Sequence, residues 1–527
     1  MTPLKRLRRM KTKHPAGDQE VKRTIFRLIL LSLLLSGCHF PRPTETPVTR
    51  SDQKKTEIAG ILNPAGLQTP EPTQTSTPNL PIPDPIITSE PVPAGKVGYF
   101  TQQGDTLSAL ARRFEVPVDA IQSDIPLPTE GLLPIGVLLV ITDNLKATLP
   151  YESPIFPDSE VIYGPSVGDF DAADFAMEAD GFLSTYQERV KDEVMSGPEI
   201  VQWVAAATST NPRLLLAFLE YQSGWVFGYP AGAENDRFPI GFGASDNGLY
   251  NELMISARFL AQGFYGWRDG SRVDAAFYGG GTGRLSPNLN AGSAALMQLF
   301  AAIYSESAWE MRLFGAESFL LFYQEMFGDP WVRAAAVEPY LTPNTQQPPL
   351  ALPFAVGERW SLTGGPHITW QTGTPRGALD FAPVTGEPAC AVSASWVTAA
   401  APGLVIRSTR SVVALDLDGD GDEGTGWVLI YQHIAEKERV AANTFLGQDE
   451  RVGHPSCEGG QASGTHVHFA RKFNGEWIGV EEPLPMILSG WRAYTGTGRY
   501  EGTLQKGDQI VTNRPDGSSG STIIRDE

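Results

Sequence analysis

Ser463–Phe469, SGTHVHF, decides how the C-terminal part of this chain folds. Thr465, Val467 and Phe469 alternate with two histidines, so the run reads as a strand. A period of two points His466 and His468 to the same side of its sheet. Two imidazoles on one face can hold or flank a metal ion. Histidine is scarce, with seven in 527 residues, yet His367, His433, His454, His466 and His468 fall in one region. From Phe354 onward the texture is short alternating apolar runs separated by glycine, the texture of a sheet.

Four pieces of that region can be read together: TGGPH (Thr363–His367), ALDFAP (Ala378–Pro383), GWVLIYQHI (Gly426–Ile434) and SGTHVHF. A carboxylate with two imidazoles is the ligand set a catalytic zinc needs, because three protein ligands leave one position open. His367, Asp380 and His468 supply it, and His433 and His466 then flank the metal. These pieces resemble the lysostaphin-type zinc metalloendopeptidases of bacterial cell walls. The commonest HxxxD pattern of that family is missing, since position 376, four before Asp380, is Arg. The wider spacing of His367 and Asp380, with GGPH and LDF around them, is similar to the β-lytic branch. Tyr431 and His433 match the family's Tyr-x-His, and Gly447 and Gln448 its Gly-Gln turn. The resemblance implies an antiparallel β fold over 354–490 with a groove across it, one zinc per chain, and amide hydrolysis. In that reading His433 and His466 handle the proton and the oxyanion. His454 matches nothing in the family and is expected to be an ordinary polar side chain.

The N-terminus gives an address. Basic residues from Lys5 to Arg27 precede the apolar run Leu28–Leu35, which is too short to span a membrane. The following LSGC resembles the bacterial lipoprotein signal over residues 1–37. Cys38 is then the lipidated residue of an extracytoplasmic protein anchored to the cell membrane. Cys390 and Cys457 remain as a pair in a compartment that permits a disulfide; free buried thiols and zinc ligation are the alternatives. The formal charge is −19, and the first 37 residues hold nine Lys/Arg against two Asp/Glu, so the rest carries −26. Such an acidic body argues against nucleic acid as a partner.

Residues 38–96 are rich in Pro and Thr and read as a disordered tether. Residues 97–142 resemble a LysM module, a strand–helix–helix–strand unit that binds peptidoglycan glycans. Here Val97–Thr101 opens, GDTL starts the helix, a second turn lies near Val118–Gln122, and Leu133–Ile141 closes. Residues 155–345 show helical periodicity, with Asn211 as N-cap before Pro212. NPRLLLAFLEYQSGW resembles the lysozyme-like fold, a mainly α domain. The family's catalytic Glu falls on Gln222, so this domain is expected to be non-catalytic unless Glu220 serves as the residual acid. Residues 491–527 are expected to be an extension with a disordered end. The acidic run DLDGDGDEG spaces Asp416, Asp418 and Asp420 like a calcium loop, but Trp427 stands where an EF-hand needs Glu. An acidic hairpin loop fits equally well.

The whole is a multidomain α+β chain, read as a zinc endopeptidase acting on peptidoglycan. Two rivals are a wall-binding lipoprotein that scaffolds other hydrolases, and a glycan-cleaving enzyme acting through the middle domain.

Overall fold

The computed structural model describes residues 92–526 except 192, 231–236 and 244–247, so the signal segment, Cys38 and most of the tether lie outside the described residues. Among the described residues no helix is long and apolar enough to cross a membrane.

Residues 96–142 form a three-stranded antiparallel sheet, β1 (Lys96–Phe100), β2 (Ile121–Ser123) and β3 (Leu138–Thr142), with β3 in the middle. The helix Leu107–Arg113 is capped by Thr106, whose Oγ1 accepts from Ala109 N at 3.2 Å. Tyr99, Leu110, Phe114, Leu139 and Ile141 make the core of this unit. The order expected here is present, but the closing strand starts later than expected. Pro134 and Gly136 (φ 77°) turn the chain first, and Ile121 and Gln122 pair with β3 instead of ending a helix. The helix and the loop before it are packed against the rest of the protein. Arg268 bonds Gln103 O, Arg113 Nε donates to Trp267 O (3.2 Å), and Ser108 bonds Glu482.

The middle region is helical as its periodicity indicates. The longest helix is Leu249–Arg268, which packs against Ala291–Ala301. Asn211 Oδ1 accepts from Arg213 N (2.9 Å), and Pro212 takes the first helical turn. Ser196 and Glu199 form a capping box at the start of Gly197–Thr208. Two hairpins interrupt the helices, β4 (Gln187–Val190) with β5 (Glu193–Ser196), and β6 (Asp274–Ala276) with β7 (Thr282–Arg284).

The C-terminal region is built on a nine-stranded sheet. Its strands are β8 (Arg359–Ile368), β9 (Arg376–Pro383), β11 (Gly403–Thr409), β12 (Val412–Asp416), β13 (Trp427–Gln432), β14 (Phe445–Leu446), β16 (Val467–Phe473), β17 (Glu476–Trp477) and β22 (Thr522–Ile524). They run β14-β11-β12-β13-β16-β9-β8-β22, with β17 beside β16, and each pairing is antiparallel. A short pair, β10 (Val397–Thr398) with β15 (Arg451–Gly453), lies outside it. Alternation sends successive residues to different cores. Val413, Leu415, Leu429, Tyr431, Val467 and Phe469 fill a core within the β region. Val412, Ala414, Val428, Ile430 and Ala470 join the core of the helices instead. The helical region therefore covers one face of this sheet. Trp477 is buried in that seam, where its backbone N–H donates to Tyr265 OH (3.0 Å). Arg268 crosses it, with Asp158 at 3.0 Å and Glu476 at 3.1 Å.

Residues 491–526 are ordered into structure, which corrects the expectation of a disordered end. β18 (Ile487–Leu488), β19 (Trp491–Thr495), β20 (Gly502–Lys506) and β21 (Gln509–Thr512) form a four-stranded sheet. Its last hairpin turns at Gly507–Asp508, where Gly507 supplies φ 57°. β22 pairs with β8, and the following Arg525 is 1% exposed, paired with Asp449 and with Phe354 O (2.9 Å). A polar tail of this kind is ordered because Thr522–Ile524 completes a sheet edge and buries Ile523.

Candidate metal centre

β16 lies between β13 and β9, and the register sets His468 opposite Asp380 on one side and Gln432 on the other. His466 and His468 share a side with Ala470, so they stand on the face that the helical region covers further along the strand. β8 delivers the third group. Its pairing with β9 is irregular between Gly364 and His367, and the shift turns His367 toward Asp380. The paired glycines of TGGPH have a steric reason. A Cβ on Gly364 would lie 2.3 Å from Asp380 Oδ2, and one on Gly365 would lie 2.6 Å from Gly502 N.

The result is a cluster of three buried groups. His367 Nε2 is 3.0 Å from His468 Nδ1, and Asp380 Oδ1 is 3.4 Å from the first and 3.2 Å from the second. Backbone carbonyls fix the protons. His367 Nδ1–H donates to Gly365 O (2.9 Å) and His468 Nε2–H donates to Thr369 O (2.8 Å), since a carbonyl only accepts. Lone pairs therefore remain on His367 Nε2 and His468 Nδ1, and these two atoms cannot bond each other in neutral rings. Asp380 Oδ1 is buried with no hydrogen-bond partner. Three acceptors aimed at one point in a buried site fit a cation.

Electrostatics keep the set ready. Burial lowers the His367 pKa from 6.5 to about 4, against the opposing pull of Asp380. Burial alone would raise Asp380, but His367, His468 and His466 outweigh it and hold the carboxyl well below its usual range. At neutral pH the carboxylate is charged and the His367 ring is neutral, the forms a metal requires.

His433 and His466 stand beside the cluster, with ring centroids 4.5 Å apart and His466 Nε2 3.7 Å from Asp380 Oδ1. Each donates Nδ1–H to a carbonyl, Glu458 O and Gly464 O respectively, at 2.7 Å. Burial, reinforced by His466, lowers the His433 pKa to about 4. His433 also has φ 65°, a left-handed conformation costly for a residue with a Cβ. It is held there by Ser456, whose N–H and Oγ both bond His433 O (2.8 and 2.9 Å). The neighbouring Cys457 is disulfide-bonded to Cys390, with Cα atoms 5.0 Å apart.

The remaining expected residues lie elsewhere. Tyr431 faces the β core, where its OH accepts from Ala400 N (2.8 Å). Gly447 starts a turn closed by Glu450 N to Gly447 O (3.2 Å). His454 lies against Trp396, with ring centroids 3.9 Å apart and the rings tilted by 42°, and bonds Ser395 O, an ordinary structural role. Asp416, Asp418 and Asp420 do cluster, but their oxygens bond their own loop. Asp416 takes Asp418 N, Gly419 N and Gly421 N, and Asp420 takes Asp422 N and Thr425 Oγ1. Burial raises the Asp416 pKa to about 7. In the helical region Glu220 Oε2 accepts from Val226 N (2.7 Å) and Phe227 N (3.1 Å), and Gln222 Oε1 accepts from Tyr304 OH (2.8 Å).

Some neighbours of the cluster had no signal in the sequence. Thr369 contributes a carbonyl, which any residue would supply. Its loop rests on the helical region: Trp370 stacks near Trp477 (6.2 Å), and a Cβ on Gly373 would strike Gln262. Tyr500 lies 4.5 Å from the His367 ring, brought there by the C-terminal sheet.

A family model described as "LasA, N-terminal domain" matches residues 154–341. Protease LasA of Pseudomonas aeruginosa (strain UCBPP-PA14) is 25% identical over 357 residues, covering 64% of this chain and 78% of that protein. Beta-lytic metalloendopeptidase of Lysobacter enzymogenes is 29% identical over 156 residues, covering 28% of this chain and 80% of the relative. Among solved structures, the M23 metalloprotease pseudoalterin aligns at 22% identity over 32% of this chain and 96% of its own, with a TM-score of 0.27. At low identity, the chain is thus similar to a protease along most of its length and to a metalloendopeptidase over part of it.

Proposed function

We propose that this chain is a zinc endopeptidase that hydrolyses peptide bonds in the stems or cross-links of peptidoglycan. In this reading it works outside the cytoplasmic membrane, anchored by lipid on Cys38, and residues 97–142 add affinity for the glycan. The observation that carries the activity is the convergence of three buried acceptors, His367 Nε2, His468 Nδ1 and Asp380 Oδ1, with no donor between them. The names of the similar proteins support a protease.

His367, Asp380 and His468 would hold the metal. Bound there, zinc supplies Lewis acidity toward the attacking water and the scissile carbonyl. Both flanking histidines give Nδ1–H to a backbone carbonyl, so each offers an Nε2 lone pair. Either can accept the proton of the attacking water, and the imidazolium so formed can then donate to the oxyanion or to the leaving amine.

The test is zinc content and release of new amino termini from purified peptidoglycan, using the whole chain beside His468→Ala. About one zinc per chain with cleavage, both lost in the variant, is the expected result. A wild-type chain that holds zinc and leaves peptidoglycan intact would overturn the reading in favour of the scaffold.

A further inference from the structure

Arg376 stands on β9 four residues before Asp380, and its guanidinium is spent on backbone carbonyls. Nε donates to Pro366 O (2.9 Å), Nη1 to Gly496 O (2.9 Å), and Nη2 to Gly498 O (2.8 Å) and Glu501 O (3.0 Å). Pro366 lies in the irregular stretch of β8 that presents His367. The other three carbonyls belong to one loop, between β19 and β20, which carries Tyr500 to the His367 ring. One side chain thus joins two pieces of chain that meet at a metal ligand.

We propose that Arg376 is a positioning residue that clamps the β19–β20 loop to the His367 strand and so sets the wall that Tyr500 forms beside the metal centre. The loop's shape is maintained from within: Glu501 accepts from Gly498 N (2.8 Å) and Thr497 Oγ1 (3.1 Å), and Gly496 N donates to Glu501 O (2.8 Å). Its place against β8 depends on the clamp and on Gly365 N to Tyr500 O (2.9 Å). A planar fork with five N–H groups can reach several carbonyls at fixed angles, whereas a lysine ammonium is a single point on a flexible stem. The functional part of this inference rests on the peptidase reading above; the structural part does not.

The experiment is hydrogen exchange of the amides of 496–502 in the whole chain, wild type beside Arg376→Lys and Arg376→Ala, with zinc affinity and steady-state hydrolysis measured on the same samples. With Arg376→Ala the loop amides exchange at least about tenfold faster while the central sheet keeps its protection, and KM rises more than kcat falls. Arg376→Lys falls between the two, and serves alone should the alanine variant fail to fold. Loop exchange within about twofold of wild type would overturn the clamp. So would equal loss of protection across the whole sheet, because Arg376 would then be a general structural residue. Exchange needs neither zinc nor substrate, so the clamp stands or falls by this measurement even in a chain that cleaves nothing.

Discussion

Two groups of three potential metal ligands sit on the same sheet, and they differ in what their lone pairs are doing. At the acidic loop, Asp416, Asp418 and Asp420 come close together, but each carboxylate is already bonded to amides or a hydroxyl of its own loop. At His367, Asp380 and His468 the proton positions leave three acceptors facing one another, with Asp380 Oδ1 unbonded. Closeness of acidic groups is cheap where neighbouring N–H groups satisfy them. Convergence of unsatisfied acceptors away from water costs free energy, and a bound cation removes that cost.

The strongest test of this contrast is removal of one member of each group. Asp380→Ala should abolish zinc binding and lower hydrolysis by on the order of a thousandfold, measured by metal analysis and amino-terminus release. Acid should also separate metal-loaded from metal-free protein. His367 and His433 have folded pKa values depressed below the unfolded 6.5, so protons favour the unfolded chain as pH falls through that value. Metal-free protein should lose stability from about pH 6.5 down to about 4, by at most about 3 kcal/mol for each ring. Urea midpoints across pH would show it, and zinc should move the loss to lower pH; a flat midpoint without zinc would contradict buried neutral rings. Gly364→Ala is a smaller perturbation, since its methyl group meets the Asp380 carboxylate. Zinc affinity should fall about 10- to 100-fold with the ligands all present. At the other group, Asp418→Asn should leave zinc content and activity unchanged and shift stability by less than about 1 kcal/mol. Millimolar calcium that raised Tm in the wild type but not in this variant would break the comparison.

What can be read from the chain depends on how local the signal is. The HxH run is a period of two within seven residues, and the helix at Pro212 is announced by Asn211 beside it. The opposition of His468 and Asp380 is a pairing across 88 positions, legible only through a family resemblance. The turn of His367 depends on a register shift that no residue type announces. The end of the chain misleads because Thr522–Ile524, set among Gly, Ser and charges, looks like a tail until its partner strand at Arg359–Ser361 is known. Likewise the β4–β5 hairpin is too short for its alternation to stand out from the helices around it.

The division of the sheet between two cores has a consequence for how this protein could be cut or exchanged. A boundary in the Pro-rich joint before Phe354 looks natural in the sequence, yet a fragment beginning there would carry Val412, Ala414, Val428, Ile430, Ala470 and Trp477 into water. Such a fragment should precipitate, or recruit the severed helices and remain a nicked whole. In this chain the β region and the helices are thus one unit, and separating them would mean replacing the apolar side chains of the shared face as well as cutting the joint.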